Sequence, residues 1–265
     1  MLRPVCHTLA CGALLSLAVS ALAACSHAQS EPVDADAPFE IVAEFPHDTG
    51  AYTQGLIWQD SVLYESTGRY GDSEVRKVDL RTGEVLASTK LASDRFGEGL
   101  ALLNGRLYQL TWESKVGYIY DAATLARVDS FTYAGEGWGL ATDGTSLIMS
   151  DGSDSLRYLS PTTLAVERVV HVRYQDSPLK KLNELEFING ELLANVYESD
   201  WVVRIDPATG VVRELLDFAA LWPRQLRGYG TDVMNGIARA PAPGELLLTG
   251  KLWPKMYAVR LKAKR

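Results

Sequence analysis

The stretch EGLALLNGRLYQLTW at residues 98–112 aligns without gaps on NELEFINGELLANVY at residues 183–197. Three more copies fit the same frame. They are QGLIWQDSVLYESTG from Gln54, WGLATDGTSLIMSDG from Trp138 and NGIARAPAPGELLLTGK from Asn235, the last with two extra residues around its Pro-Ala-Pro turn. Each copy reads as two short alternating strands joined by a turn such as Asn-Gly, Asp-Gly or Pro-Gly, which is a hairpin signature. A second strand–turn–strand unit follows the earlier copies: VDLRTG at 78–83, YDAAT at 120–124, LSPTT at 159–163 and IDPATG at 205–210. In these units Asp or Ser can bond the backbone of its own turn.

The copies start at 54, 98, 138, 183 and 235, spacings of 44, 40, 45 and 52 residues. Four strands in about 40–45 residues is the length of one propeller blade. The sequence therefore predicts an all-β fold over residues 38–265: a five-bladed β-propeller of four-stranded antiparallel blades around a central channel. The leading strand FEIVAEF (39–45) is expected to pair beside MYAVRL (256–261), closing the ring and covering an open edge. Residues 217–227 (DFAALWPRQLR) predict one short helix broken at Pro223.

Composition narrows the class of partner. The 265 residues carry a net charge of −7, and an acidic chain repels polyphosphate, so nucleic acid is not an expected partner. Arg3 followed by an apolar run over 9–24 reads as a secretory leader spanning 1–24 rather than a membrane span. The run LAAC at 22–25 resembles a bacterial lipobox, which would make Cys25 the lipidated first residue of the mature chain. Ordinary cleavage after SHA at 26–28 is the alternative. Cys6 and Cys11 fall inside the leader, so no disulfide is expected. Residues 25–37 read as a flexible tether. The expectation is an exported, periplasmic monomer, lipid-anchored to the outer membrane of a Gram-negative cell through Cys25.

Innermost strands of a propeller face one channel, so equivalent repeat positions converge there. One ring is Gln54, Glu98, Trp138, Asn183 and Asn235; a second is Gly68, Trp112, Gly152, Tyr197 and Lys251. Between them the repeats are monotonous, with Gly, Leu and Asn-Gly. A carboxylate, three amides, a lysine and three large aromatics at one channel mouth point to a ligand site rather than a structural channel.

These positions sit in blocks with a wider likeness. YTQGL (52–56), FGEGL (96–100), LTW (110–112), GWGL (137–140), LNELE (182–186), NGIA (235–238) and LTGKLW (248–253) resemble the plant-type and bacterial glutamine cyclotransferases. The resemblance implies a metal-independent enzyme, without cofactor, that turns the N-terminal glutamine of peptides or proteins into pyroglutamate with release of ammonia. It implies a proton-shuttling Glu98, with Lys251 and Asn183 as its catalytic companions. Gln54, Trp112, Trp138, Tyr197, Phe96, Tyr52 and Asn235 would contact substrate. Tyr197 stands where a third tryptophan is expected, and Tyr52 where the family often has Phe.

Other signals are set aside. Residues 135–139 (GEGWG) imitate a nucleotide-binding glycine loop but precede a strand-like run, not a helix. His47 and His171 have no metal-ligand spacing. Ser150 lacks a histidine partner. Glu184 and Glu186 are expected to divide between the channel rim and a salt bridge, a shared cation with Glu98 being the alternative. Lys180, Lys181, Arg224 and Arg227 read as solvated surface charges. The rival to catalysis is a lipid-anchored propeller that binds peptides or envelope components without turnover, since fold alone decides no function. A hydrolase of lactones or sugars would need more carboxylates or a metal at the rings.

Overall fold

The computed structural model describes Met1 and residues 37–263. The leader, Cys25 and nearly all of the tether lie outside the described residues. Strand β1 is Phe39–Pro46. Blade one follows as β2 (Thr53–Gln59), β3 (Val62–Thr67), β4 (Glu74–Val78) and β5 (Val85–Lys90). Blade two is β6 (Gly97–Leu103), β7 (Arg106–Thr111), β8 (Val116–Asp121) and β9 (Arg127–Thr132). Blade three is β10 (Leu140–Thr142), β11 (Leu147–Met149), β12 (Ser155–Leu159) and β13 (Val166–His171). A small hairpin, β14 (Arg173–Tyr174) and β15 (Ser177–Pro178), precedes blade four: β16 (Leu182–Ile188), β17 (Glu191–Val196), β18 (Trp201–Ile205) and β19 (Val212–Asp217). Blade five is β20 (Met234–Arg239), β21 (Glu245–Gly250) and β22 (Lys255–Leu261), with β1 as its fourth and outermost strand. The predicted closure is thus present: Phe39 pairs with Leu261 and Pro46 with Lys255 across an antiparallel ladder.

Local chemistry explains the strand ends. Asp60-Ser61, Asn104-Gly105 and Asn189-Gly190 each join two strands with both residues at positive φ, the twist that two-residue hairpins require. At the outer turns Asp79 Oδ1 accepts the N–H groups of Arg81 and Thr82, and Asp206 Oδ1 those of Ala208 and Thr209. The hydrophobic core is divided among the five blade interfaces. Leu100 and Leu107 of blade two meet Tyr64 and Val75 of blade one, and Ile237 and Leu248 of blade five meet Val202 and Leu216 of blade four. Each such fully buried aliphatic side chain stabilises the ring by about 1.5–3 kcal/mol.

Two expectations need correction. No α-helix forms over 217–227: β19 runs to Asp217, and a 3-10 turn covers Arg224–Leu226. Pro223 precedes that turn rather than breaking a longer helix, because its fixed φ suits a helical start. Nor is Arg227 a solvated charge. Its guanidinium is buried over the Trp253 ring and paired with Asp200 at 2.7 Å, alongside Arg224.

The seam between blades five and one holds a buried ionic cluster. His47 Nε2 lies 3.0 Å from Glu65 Oε1 while Nδ1 lies 2.7 Å from the Trp253 carbonyl. Both ring nitrogens face acceptors, an arrangement that favours the doubly protonated, positively charged imidazole and raises its pKa. Arg76 donates Nε and Nη2 to Glu65 Oε2 and Nη1 to Asp48. Burial would raise the Glu65 carboxyl, but Arg76 and His47 outweigh it and hold it far below the usual carboxylate range.

Candidate active site

Four of the five first-ring residues lie where the inner-strand ladder is interrupted. Register shifts lie between Thr53 and Gly55, Gly97 and Leu100, Leu182 and Leu185, and Met234 and Ile237. The skipped positions are Gln54, Glu98 with Gly99, Asn183 with Glu184, and Asn235 with Gly236, so an irregularity at each of these inner-strand starts re-aims a ring side chain. A glycine follows most of them for close packing: a Cβ on Gly55 would meet the Leu100 nitrogen at 2.6 Å, and one on Gly139 would collide with the Asn183 carbonyl. In blade four that position is Glu184. Its carboxylate crosses the space left by the glycines and accepts the N–H groups of Leu56 and Ile237. Glu184 therefore neither lines a rim nor forms a salt bridge; it plugs the channel. Burial, with Glu186 adding to it, raises its carboxyl well above the usual range. Glu186 lies at the far channel mouth with Gln59, Thr142 and Arg239, its carboxyl pushed up to about 8 by burial.

At the near mouth Tyr52, Gln54, Phe96, Glu98, Trp112, Trp138, Asn183, Tyr197 and Lys251 line one pocket of about 220 Å³. Its four polar members, Gln54, Glu98, Asn183 and Lys251, are each no more than 4% exposed. The second-ring glycines make room for pocket aromatics: a Cβ on Gly152 would meet the Trp138 indole at 2.7 Å, and one on Gly68 would collide with the Phe96 ring.

Asn235 does not line the pocket. It sits one layer behind, donating Nδ2 to the Thr53 carbonyl at 2.9 Å and to Gln54 Oε1 at 3.1 Å. That contact fixes the Gln54 amide with its NH₂ toward Glu98, to which it hydrogen-bonds. Asn183 lines the pocket, and its Oδ1 is buried with no hydrogen-bond partner among the described residues.

Electrostatics set Glu98 apart. Burial pushes its carboxyl well above the ordinary value; the Lys251 charge opposes this, the Glu136 charge adds to it, and the Gln54 hydrogen bond opposes it. Burial likewise lowers Lys251, against the pull of Glu98 and Asp232. A raised acid beside a lowered base is the pairing that lets protons move near neutral pH. Two residues here escaped the sequence reading. Glu136 Oε2 accepts both the Trp112 and Trp138 indole N–H groups, at 2.8 and 2.9 Å. Asp232 accepts from Trp253 Nε1 through its carbonyl, and its carboxylate hydrogen-bonds the Tyr52 hydroxyl beside Lys251. Glu136 stood in the glycine run dismissed as a nucleotide loop; Asp232 has no counterpart in the repeat.

Fold and pocket together define a five-bladed propeller with a buried acid–base pair inside an aromatic enclosure at one channel mouth. Residues 13–261 match the sequence profile of the glutamine cyclotransferase family, and the chain belongs to that family. It is 46% identical over 227 residues to a glutaminyl-peptide cyclotransferase of Arabidopsis thaliana, covering 84% of this chain and 71% of the plant protein. The crystal structure of Myxococcus xanthus glutaminyl cyclase superposes with a TM-score of 0.79 at 35% identity, covering 86% of this chain and 97% of the other.

Proposed function

We propose that this protein is a glutaminyl-peptide cyclotransferase that closes N-terminal glutamine to pyroglutamate by metal-independent general acid–base catalysis. The observation that carries the reading is Glu98: a buried carboxyl with a raised pKa, opening on a pocket shared with Lys251 and walled by aromatic rings. Family membership and the Arabidopsis and Myxococcus relatives support the same reaction.

The chemistry follows from the groups present. The substrate's α-ammonium gives a proton to Glu98, and the freed amine attacks the side-chain amide carbon. A C–N bond forms and the amide oxygen gains negative charge, which Lys251 and the Asn183 amide stabilise by donating hydrogen bonds. Glu98 then returns its proton to the departing nitrogen, the carbonyl re-forms as the old C–N bond breaks, ammonia leaves, and the second hydrogen of the attacking nitrogen passes to the Glu98 carboxylate, which releases it to solvent. Folding the flexible side chain back on itself between Trp112, Trp138 and Tyr197 supplies several kcal/mol, with about 7–11 as the upper range for such pre-orientation. Among the described residues, no three His, Cys, Asp or Glu side chains gather as metal ligands. The proposed setting is export by the leader over 1–24, with Cys25 as the lipid anchor.

Ammonia release from Gln-Ala and Gln-amide by the purified protein tests this, with EDTA present and Glu98→Gln as control. Turnover that survives chelation and disappears in the variant is the expected result. A folded wild type without turnover on either substrate overturns the reading in favour of a binding propeller.

A further inference from the structure

The pocket wall is a closed circuit of side chains. Tyr52 meets Phe96 edge-on with ring centroids 5.9 Å apart, Phe96 meets Trp112 at 5.8 Å, and Trp138 meets Tyr197 at 5.5 Å. Lys251 Nζ lies over the Tyr52 and Tyr197 rings at 4.7 and 5.1 Å, joining the two ends. The remaining gap, between Trp112 of blade two and Trp138 of blade three, is bridged by a single oxygen of Glu136. The loop that carries Glu136 is itself stapled to the wall: the Gly137 N–H donates to the Trp112 carbonyl at 3.1 Å. A side chain at Gly137 would meet the Tyr133 hydroxyl at 2.6 Å, so this loop approaches as closely as backbone allows.

We propose that Glu136 is the positioning residue of this enzyme, holding the Trp112 and Trp138 indoles as the two fixed walls against which the glutamine side chain is folded for ring closure. The inference rests on the reading of the pocket as a glutaminyl cyclotransferase site. An indole has one N–H and one preferred hydrogen-bond direction. Two indoles sharing one acceptor are therefore fixed relative to each other as well as to the loop. Without that acceptor each ring keeps its edge-on neighbour but loses its tie to the other. The two halves of the wall, one running from Tyr52 to Trp112 and the other from Trp138 to Tyr197, are then free to part. Misplacement by about 1 Å costs a ring-closing reaction up to about a hundredfold. Glu136 also bears a charge that acts on Glu98, so charge and geometry must be separated.

Glu136→Gln keeps an acceptor oxygen and removes the charge; Glu136→Ala removes both. Turnover of Gln-amide, its pH profile and the indole ¹⁵N–¹H resonances of Trp112 and Trp138 (assigned with single Trp→Phe variants) are measured in each. Glu136→Ala is expected to lower kcat about 10–100-fold, more than it raises KM, and to move both indole resonances. Glu136→Gln is expected to restore most of that kcat, to leave the resonances near their wild-type places, and to bring the acidic limb of kcat/KM to lower pH. Wild-type kcat in Glu136→Ala, or Glu136→Gln as slow as Glu136→Ala, overturns the proposal. Should the wild type itself fail to turn over, the cyclotransferase reading falls. The resonances then decide separately, and indoles unmoved in Glu136→Ala overturn the tie.

Discussion

Glu65 and Glu98 are both buried glutamates close to the start of the propeller ring, and they behave in opposite ways. Glu65 sits in the seam with Arg76 and His47 on its two oxygens, and its carboxyl is held far below the usual range. Glu98 opens on the pocket with one amide donor and a lysine acting on it, and its carboxyl is raised. Burial pushes both the same way, so partners rather than depth decide which carboxylate is a structural anion and which can exchange a proton. The first stabilises the ring; the second is held where a proton can come and go.

The largest effect that sharpens this contrast is expected at Glu98. Replacing it by Gln lowers turnover by about 10³–10⁴-fold while the thermal midpoint stays level or rises, since a raised carboxyl is a group the fold accommodates at a cost. Parallel ammonia assays and melts check this, and a large fall in the midpoint would break the contrast. Arg76→Met is expected to do the reverse. Leaving Glu65 buried without its main partner costs about 3–5 kcal/mol in urea unfolding, with kcat of the folded fraction little changed. Lys251→Met should cost about 10²–10³ in kcat. It should also move the acidic limb of kcat/KM to higher pH, because the lysine charge lowers Glu98.

The smallest effect is a slope. Burial would lower the pKa of His47, but the Glu65 charge and hydrogen bond outweigh it and the Trp253 carbonyl adds to them, so its folded value lies above 6.5. Its contribution to stability is complete below pH 6.5 and is lost as pH rises through the raised value. Urea melts between pH 6 and pH 9 should show that decline, and His47→Gln should flatten it.

The repeat was legible because each blade must present the same small hairpin and turn, and Asn-Gly, Asp and Gly mark those turns in one chain. Ring positions were legible for the same reason: aligned copies place Gln54, Glu98, Trp138 and Asn183 at one level. What hid from the sequence has no counterpart from blade to blade. A bulge is one unpaired residue and leaves no mark in hydrophobic alternation. Glu184 read as either a rim charge or a salt-bridge partner because its true partners, the N–H groups of Leu56 and Ile237, belong to other blades. Asn235 shared the alignment of the ring residues, yet a hydrogen bond to Gln54 drew it one layer back. Glu136 and Asp232 lie on connections between strands, where length and composition vary and repeats offer no register.

The pairing of β1 with β22 has a consequence for the nascent chain. Residues 39–46 are made early and 255–261 late, and at about 5–20 residues per second the first strand waits on the order of 10–40 s for its partner. During that interval its unpaired edge needs shielding from other chains. Gln54 of blade one and Lys251 of blade five flank the same seam, so the lysine takes its place beside Glu98 only once the chain has been made as far as blade five. The pocket that holds both groups is complete only when blade five docks against blade one.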